Sequence, residues 1–478
     1  MQKNLSMLTD FYELTMMQGF LQSGRANKIS VFDLYYRKNP FDNGYAIFAG
    51  LEQVLDYVLN IKFTDDDINF LRSQNCFSDE FLSYLRDFKF TGDIFAMREG
   101  SIAFPNEPLL TVKAPIIQAQ FLESALLNII NHQTLIATKA SRIKQVTDGD
   151  IIFEFGLRRA QAPDASIFGA RASFIGGFDA TSNVLAGKLF EIPVSGTHSH
   201  SWVMSFDSEL EAFYEYARKY PDNCILLVDT FNTLKSGVPN AIKVFKDLIG
   251  SGVHLKKFGV RLDSGDFAYL TKVIRKMLDD AGFYNAIIVV SNDLDENIIE
   301  SLKQQGAKID AWGIGTKLIT ADKNPALGGV YKLVAMEDEN GELLPKIKIS
   351  DNPEKISTPC FKQIFRIYDS KYRKIKADLI GLRDENFPEA NDLTIFDPNA
   401  PWKKMHLEKN TYHIEKMLLP VIQNGQRVYD GPKLCEIKNY CAQQVDSLWS
   451  EYKRLVNPQI MPVDLSDKLL AIKHSLIS

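Results

Sequence analysis

The sequence predicts an α/β fold: an irregular parallel α/β barrel, a discontinuous β-rich (α+β) domain and a helical C-terminal extension. Three observations carry this. Six short apolar, strand-like runs end in charged, hydroxyl or glycine residues: 151–160 (IIFEFGLRRA), 192–201 (IPVSGTHSHS), 225–233 (ILLVDTFNT), 258–267 (FGVRLDSGDF), 287–294 (IIVVSNDL) and 309–317 (IDAWGIGTK). Buried parallel strands read as continuous Val, Ile, Leu and Phe, and these units recur roughly every 30 residues, the length of a strand with its crossover helix. Glycines and prolines punctuate an earlier strand-like region, and Asn340-Gly341, the strongest short hairpin signal, follows the barrel units.

In chain order, residues 11–23 have helical spacing, with Asp10 placed to cap and Gly24 to stop. Residues 29–38 (ISVFDLYYRK) read as a strand, 50–60 and 65–87 as helices, and 92–113 as an antiparallel meander with turns at Gly100, Pro105 and Pro108. A long helical pattern over 118–146 leads into the barrel units. After them, 330–336 and 343–350 flank Asn340-Gly341, and 361–368 (FKQIFRIY) continues the β-rich character, so this region is expected to rejoin the N-terminal meander. The tail reads as helical and charged, with 447–456 (SLWSEYKRLV) as a closing helix before Pro458. The expected domains are 1–118 joined by 335–398, the barrel over 119–334, and an extension over 399–478.

Composition bounds the function. With 478 residues, 45% apolar and 24% charged, the chain has room for two or three domains and a large core. A net charge of -5 without any Lys/Arg block argues against nucleic acid and against an anionic membrane surface. No apolar stretch reaches about 18 residues without a charge, and the first residues lack a basic n-region and an apolar h-region, so a cytoplasmic protein is expected. Cys76, Cys224, Cys360, Cys435 and Cys441 form no CxxC pair; mostly free, buried thiols are expected, not a disulfide framework or a zinc site.

Ligands of parallel α/β sheets bind past the carboxyl ends of the strands, so the polar run ends should converge. Their chemistry suits phosphate and ribose. Taken singly, each has a plain structural alternative: a helix cap or ion pair for an Asp or Arg, core packing for Phe155 or Tyr12, a tight turn for Gly313-Ile314-Gly315. Asp229 fits either a phosphate or metal network or a cap, and Lys355 and Lys362 either a functional basic stretch or a solvated strand face. On a strand, His198 and His200 would share one face, yet no third ligand follows at zinc-site spacing.

Together the motifs resemble the nicotinate phosphoribosyltransferases, within the type II phosphoribosyltransferases that also include the nicotinamide and quinolinate enzymes. The carrying stretches are 7–17 (MLTDFYELTMM), 153–162 (FEFGLRRAQA), 176–188 (GGFDATSNVLAGK), 195–203 (SGTHSHSWV), 260–267 (VRLDSGDF), 313–319 (GIGTKLI) and 327–334 (LGGVYKLV), spanning about 7–366, with no family motif placed beyond Arg366. The resemblance implies formation of nicotinate mononucleotide and pyrophosphate from nicotinate and 5-phosphoribosyl 1-pyrophosphate, in NAD biosynthesis salvage. It also implies ATP as co-substrate, Mg²⁺ with pyrophosphate and ATP, and a homodimer with a shared active site.

By the same resemblance, Asp263 and Asp293 stabilise a ribosyl cation-like transition state, and Arg158 and Lys317 hold phosphates with the Gly313, Gly315 and Thr316 amides. Asp179 joins this phosphoribosyl pyrophosphate set. Phe155 stacks on the pyridine ring, Tyr12 of a second copy covers its other face, and Arg261 with Thr197 binds the carboxylate. His200, at the last position of G-T-x-x-H, is the phosphorylated and catalytic histidine; His198 falls on a variable position, and Ser199 stands where a small apolar residue is common. The alternatives are a nicotinamide phosphoribosyltransferase, a non-catalytic nucleotide-binding barrel, and a barrel aldolase using Lys317.

Overall fold

The computed structural model describes residues 4–352, 355–398 and 400–477; Asn399, where the C-terminal extension was expected to begin, and the final Ser478 lie outside them. The chain divides into two compact units, Lys139–Pro325 and the combination of Met1–Thr138 with Ala326–Ser478. These bounds differ from 118 and 334. Phe121, Leu122, Ala125, Leu126 and Ile130 bury in the same core as Phe32 and Leu34, which draws the first half of the Glu123–Thr147 helix into the N-terminal unit.

The Lys139–Pro325 unit is built on six parallel strands. Their order is Ala180–Thr181, Ile151–Glu154, Ala311–Ile314, Ile287–Ser291, Phe258–Leu262, Cys224–Leu227. The sheet curls into a half-barrel whose first and last strands are edges. Five of the six predicted runs form its strands. The run 192–201 does not: it makes one bridge, Val194 to Thr181, and Ala180–Thr181 supplies the edge strand instead. Pro193 has no N–H to give a ladder. Alternation along the strands puts Ile152, Leu226, Val260, Ile288, Val290 and Trp312 on one buried face. The other face carries Phe153, Ile225, Val289 and Ala311 and then, at the carboxyl ends, Phe155, Arg261, Ser291 and Gly313.

In the other unit, a seven-stranded sheet orders Leu343–Pro345, Gly329–Glu337, Ile29–Tyr36, Leu110–Pro115, Asp93–Ala96, Leu419–Gln423 and Gln426–Arg427, paired antiparallel throughout. The expected return of the chain to the N-terminal meander is made by Gly329–Glu337 and Leu343–Pro345, whereas Lys362–Asp369 pairs in a separate four-stranded sheet, and Gly341 at φ +82° turns the predicted hairpin. The Phe11–Gln22 helix forms with Asp10 at its N-cap position, but that carboxylate accepts from the Ser124 hydroxyl at 2.7 Å and caps nothing.

The tail corrects the expectation of a helical extension. Lys404–Leu407, Tyr412–Lys416, Leu419–Gln423, Gln426–Arg427 and Val463–Leu465 are strands, alongside the helices Leu434–Asp446 and Asp467–Ile477. Residues 447–456 hold only a short 3-10 turn, Ser450–Tyr452. The physical reason is a second Asn-Gly turn: Asn424 and Gly425, at φ +49° and +70°, close a two-residue hairpin with Gln423 opposite Gln426. Lys362 is buried and lies on no solvated face; its Nζ lies 2.7 Å from Asp33 Oδ2 and donates to the Thr358, Pro359 and Cys360 carbonyls. Lys355 is exposed. All five cysteines are free thiols, with Cys224, Cys360 and Cys441 buried and Cys76 and Cys435 exposed.

Candidate active site

A cavity of about 300 Å³ opens at the carboxyl ends of the half-barrel strands. Phe155, Arg158, Thr197, His200, Arg261, Asp263, Asp293, Gly313, Gly315 and Thr316 all line it. A larger groove of about 1040 Å³ lies in the other unit and contains no predicted site residue. Several of its charges are already engaged: Lys374 with carbonyls, His413 with Glu389, Asp369 with Lys376.

One wall is an aromatic stack. The rings of Phe153 and Phe155 lie 5.7 Å apart at 7°. A Cβ added to Gly313 would meet Phe155 Cδ2 and Cε2 at 2.6 Å, so only glycine lets the ring lie this close to the neighbouring strand. Beneath the loop, buried Glu154 accepts from Gly156 N–H and, at 2.5 Å, from the Thr181 hydroxyl, and burial pushes its carboxyl up. That holds the turn from which Arg158 and Arg159 project into solvent.

The opposite wall centres on Arg261. Its Nε donates to Ser291 Oγ at 3.1 Å, and its Nη1 to Thr197 Oγ1 at 2.5 Å and the His198 carbonyl at 3.4 Å. Its Nη2 stands 3.6 Å from Asp263 Oδ1. Burial lowers the guanidinium from its ordinary value, Asp263 and Asp229 oppose this, and Arg158 adds to the lowering. It stays charged at neutral pH.

The G-T-H-S-H segment is a loop, so its two histidines diverge. His198 is buried; its Nε2 accepts the Leu227 N–H at 3.2 Å and its Nδ1 lies 3.3 Å from the Ser199 carbonyl, which fixes the proton on Nδ1. Burial pushes its pKa down to about 4. His198 thus ties the loop to the free edge of the Cys224–Leu227 strand, a role hidden in its variable position. His200 starts the His200–Met204 helix, with Nδ1 3.1 Å from Thr230 Oγ1 and Nε2 4.0 Å from Asp229 Oδ1. The Ser199 hydroxyl pairs with Ser201, away from the His200 ring. Asp229, left open between two roles, caps no helix: its Oδ2 accepts from Asp263 N–H at 2.9 Å and the Ser264 hydroxyl at 2.6 Å, and its buried Oδ1 has no hydrogen-bond partner.

Two predicted residues of this unit, Asp179 and Lys317, do not line the cavity. Asp179 accepts the Ile152 N–H at 3.0 Å, with Lys144 Nζ at 3.9 Å, on the first residues of the sheet. Lys317 lies 3.3 Å from Asp295 Oδ2, where Asp295 caps the Glu296–Gln304 helix. Burial alone would raise the Asp295 carboxyl, but the Ile298 N–H and Lys317 together hold it below the usual range. Tyr12, expected to act from a second copy, belongs to the other unit; the residue is 46% exposed, which removes the core-packing explanation. Beside it, burial raises Glu13 to about 7 against a hydrogen bond from Gln120. Among the described residues, no group of three or more His, Cys, Asp or Glu side chains is placed to hold a metal ion.

Three family models match the chain: the nicotinate phosphoribosyltransferase (NAPRTase) N-terminal domain over residues 7–131, the NAPRTase family over 151–372, and the nicotinate phosphoribosyltransferase C-terminal domain over 361–473. The chain belongs to the nicotinate phosphoribosyltransferase family. The third match extends the likeness through the tail, where the sequence reading placed no family motif. A nicotinate phosphoribosyltransferase of Bacillus subtilis (strain 168) is 47% identical over 464 residues, covering 97% of this chain and 93% of that one. The Homo sapiens enzyme of the same name is 32% identical over 528 residues, covering 98% and 96%. The solved human nicotinic acid phosphoribosyltransferase superposes with a TM-score of 0.86 at 30% identity over 98% of this chain and 100% of that chain.

Proposed function

We propose that the chain transfers the phosphoribosyl group of 5-phosphoribosyl 1-pyrophosphate to the ring nitrogen of nicotinate, yielding nicotinate mononucleotide and pyrophosphate for NAD biosynthesis. The observation that carries the reading is the pairing, in one cavity, of a ring-sized wall at Phe155 and Gly313 with a guanidinium at Arg261 that Thr197 and Ser291 hold in place. A planar aromatic acid satisfies both walls: its ring covers Phe155 and its carboxylate meets Arg261.

In the transfer, the bond from ribose C1 to pyrophosphate oxygen breaks with its electron pair leaving on pyrophosphate, and the nicotinate nitrogen lone pair forms the new bond. Positive charge develops on the ribose meanwhile. Asp263 and Asp293, both lining the cavity, supply negative charge to it. Arg158 and Arg159 face the departing pyrophosphate, and the turn Gly313 to Thr316 offers backbone amides to the 5-phosphate. Mg²⁺ keeps several non-protein oxygens and takes few carboxylates; Asp229 Oδ1, which accepts no hydrogen bond, and the exposed Asp293 would suit such a site. An ion bound there with pyrophosphate would supply positive charge against the leaving group's negative charge.

ATP enters as co-substrate: the bond from its γ-phosphorus to the bridging oxygen breaks with the electron pair leaving on ADP, His200 takes up the phosphoryl group, and water later releases it as phosphate; the Thr230 contact on Nδ1 leaves Nε2 as the nucleophilic atom. A homodimer, in which the exposed Tyr12 of a second copy covers the nicotinate ring, completes the reading. No helix among the described residues is long and apolar enough to cross a membrane; a cytoplasmic location is part of the proposal.

The test is mass detection of nicotinate mononucleotide and pyrophosphate from nicotinate and phosphoribosyl pyrophosphate, with and without ATP. Product from nicotinamide alone would move the chain to the sibling activity. Labelling with γ-labelled ATP should give an acid-labile, base-stable phosphate that maps to His200 and is absent from His200→Ala; a phosphate mapped to His198 would overturn that role.

A further inference from the structure

We infer that Ser291 is a positioning residue that keeps the Arg261 guanidinium available to the substrate's carboxylate by standing between Arg261 and Asp263. The inference rests on the reading of Arg261 as the cation that meets the substrate's carboxylate.

A guanidinium has five N–H groups. In Arg261, the Nε hydrogen goes to Ser291 and those of Nη1 to Thr197 and the His198 carbonyl. Nη2 remains, and the nearest carboxylate oxygen to it is Asp263 Oδ1 at 3.6 Å, a loose ion pair longer than a hydrogen bond. Two opposite charges this close, partly shielded from water, should collapse into a bidentate pair. They do not, because the Ser291 hydroxyl is in the way chemically. It accepts from Arg261 Nε and has one hydrogen to give. That hydrogen goes to Asp263 Oδ1 at 2.5 Å and not to the Leu262 carbonyl at 3.4 Å. One side chain therefore satisfies an edge of the guanidinium and an oxygen of the carboxylate at the same time.

The sheet fixes this placement. Val289 pairs with Arg261 and Val290 with Leu262, so Ser291 stands at the level of Asp263, on the same face as Arg261. Ser291 is only 3% exposed, so the bridge is made largely out of contact with solvent. Its removal strands Nε and frees Asp263 Oδ1, and the closest donor to that oxygen becomes Arg261 Nη2. A closed Arg261–Asp263 pair would present nicotinate with a neutralised guanidinium and an adjacent carboxylate.

The experiment is steady-state kinetics of Ser291→Ala and Ser291→Thr, with thermal melting to confirm folding. Ser291→Ala should raise the nicotinate KM at least tenfold while the phosphoribosyl pyrophosphate KM moves less than twofold. Ser291→Thr, which keeps the hydroxyl, should restore most of the nicotinate KM. An unchanged nicotinate KM, an equal rise in both KM values, or a Thr variant as impaired as the Ala variant overturns the proposal. Arg261→Ala measured alongside separates the two readings. If it too leaves the nicotinate KM unchanged, the assignment of Arg261 to the carboxylate fails; if it raises that KM and Ser291→Ala does not, only the role of Ser291 fails.

Discussion

Adding one methyl group at Gly313 tests whether the cavity is shaped around the Phe155 ring. Carbon atoms in ordinary contact sit about 3.5–4.0 Å apart. The new Cβ would lie 2.6 Å from two atoms of the ring and 3.1 Å from Ser291 Cβ, so the ring must retreat by about 1 Å. Backbone strain is not the issue, since Gly313 lies within the regular Ala311–Ile314 strand and is absent from the positive-φ residues. Replacing glycine there contributes a fraction of a kcal/mol through the unfolded chain, roughly 0.4–1 kcal/mol, which partly offsets the crowding. The melting temperature of Gly313→Ala should therefore shift by only a few degrees. Catalysis should respond far more, because a misplacement of about 1 Å can cost about 100-fold. The assay is kcat/KM for nicotinate in Gly313→Ala, Phe155→Leu and the double variant. If Gly313 acts through the ring, the smaller leucine relieves the clash and the double variant is no worse than Phe155→Leu. Additive losses would refute the reasoning, because independent sites add and coupled ones do not.

Arg261→Lys should weaken nicotinate use by roughly 1.5–3 kcal/mol, the scale of a hydrogen bond to a charged group, with phosphoribosyl pyrophosphate binding largely kept; unchanged nicotinate kinetics would remove Arg261 from the carboxylate. Mixing Tyr12→Ala chains with Arg261→Ala chains should restore some activity, since one site of a mixed dimer can hold both native residues. No recovery in heterodimers confirmed by mass would count against a shared site. His198 predicts an acid sensitivity: its native pKa of about 4 lies below the value of about 6.5 in an unfolded chain. The unfolded state then binds more protons between these values, so the contribution of about 3 kcal/mol is complete above pH 6.5 and lost as pH falls towards 4. His198→Gln should flatten that part of the stability curve in urea melts at pH 7, 5.5 and 4.5; an unaltered slope would show that His198 titrates normally.

Much of the site was legible because two local patterns suffice to write it. Continuous apolar runs marked five of the six parallel strands, and the polar residue at each run end marked the mouth; Phe155, Arg158, Arg261, Asp263, Asp293 and the Gly313 to Thr316 turn all line the cavity. The Asn340-Gly341 turn was equally plain. Its twin at Asn424-Gly425 carries the same signal, and reading it would have found the Leu419–Gln423 and Gln426–Arg427 hairpin in a tail taken for helix.

What the sequence by itself determined is the set of strands, the face each side chain takes and the type of chemistry at the strand ends. Tertiary structure alone decided which of those groups meet. Asp179 and Lys317 sit in motifs as suggestive as that of Arg261, yet one is bonded to the Ile152 amide and the other to Asp295. Ser291 is a lone strand-end serine with no local pattern, and its importance comes from partners 28 and 30 residues away. His198 and His200 would have shared a face on a strand; as a loop they part, one to the Leu227 amide and one to Thr230. Periodicity is a property of neighbours along the chain, whereas the partner of a charge or hydroxyl is set by the register between strands and by which hydrogen bond is left to satisfy once the sheet has closed around it.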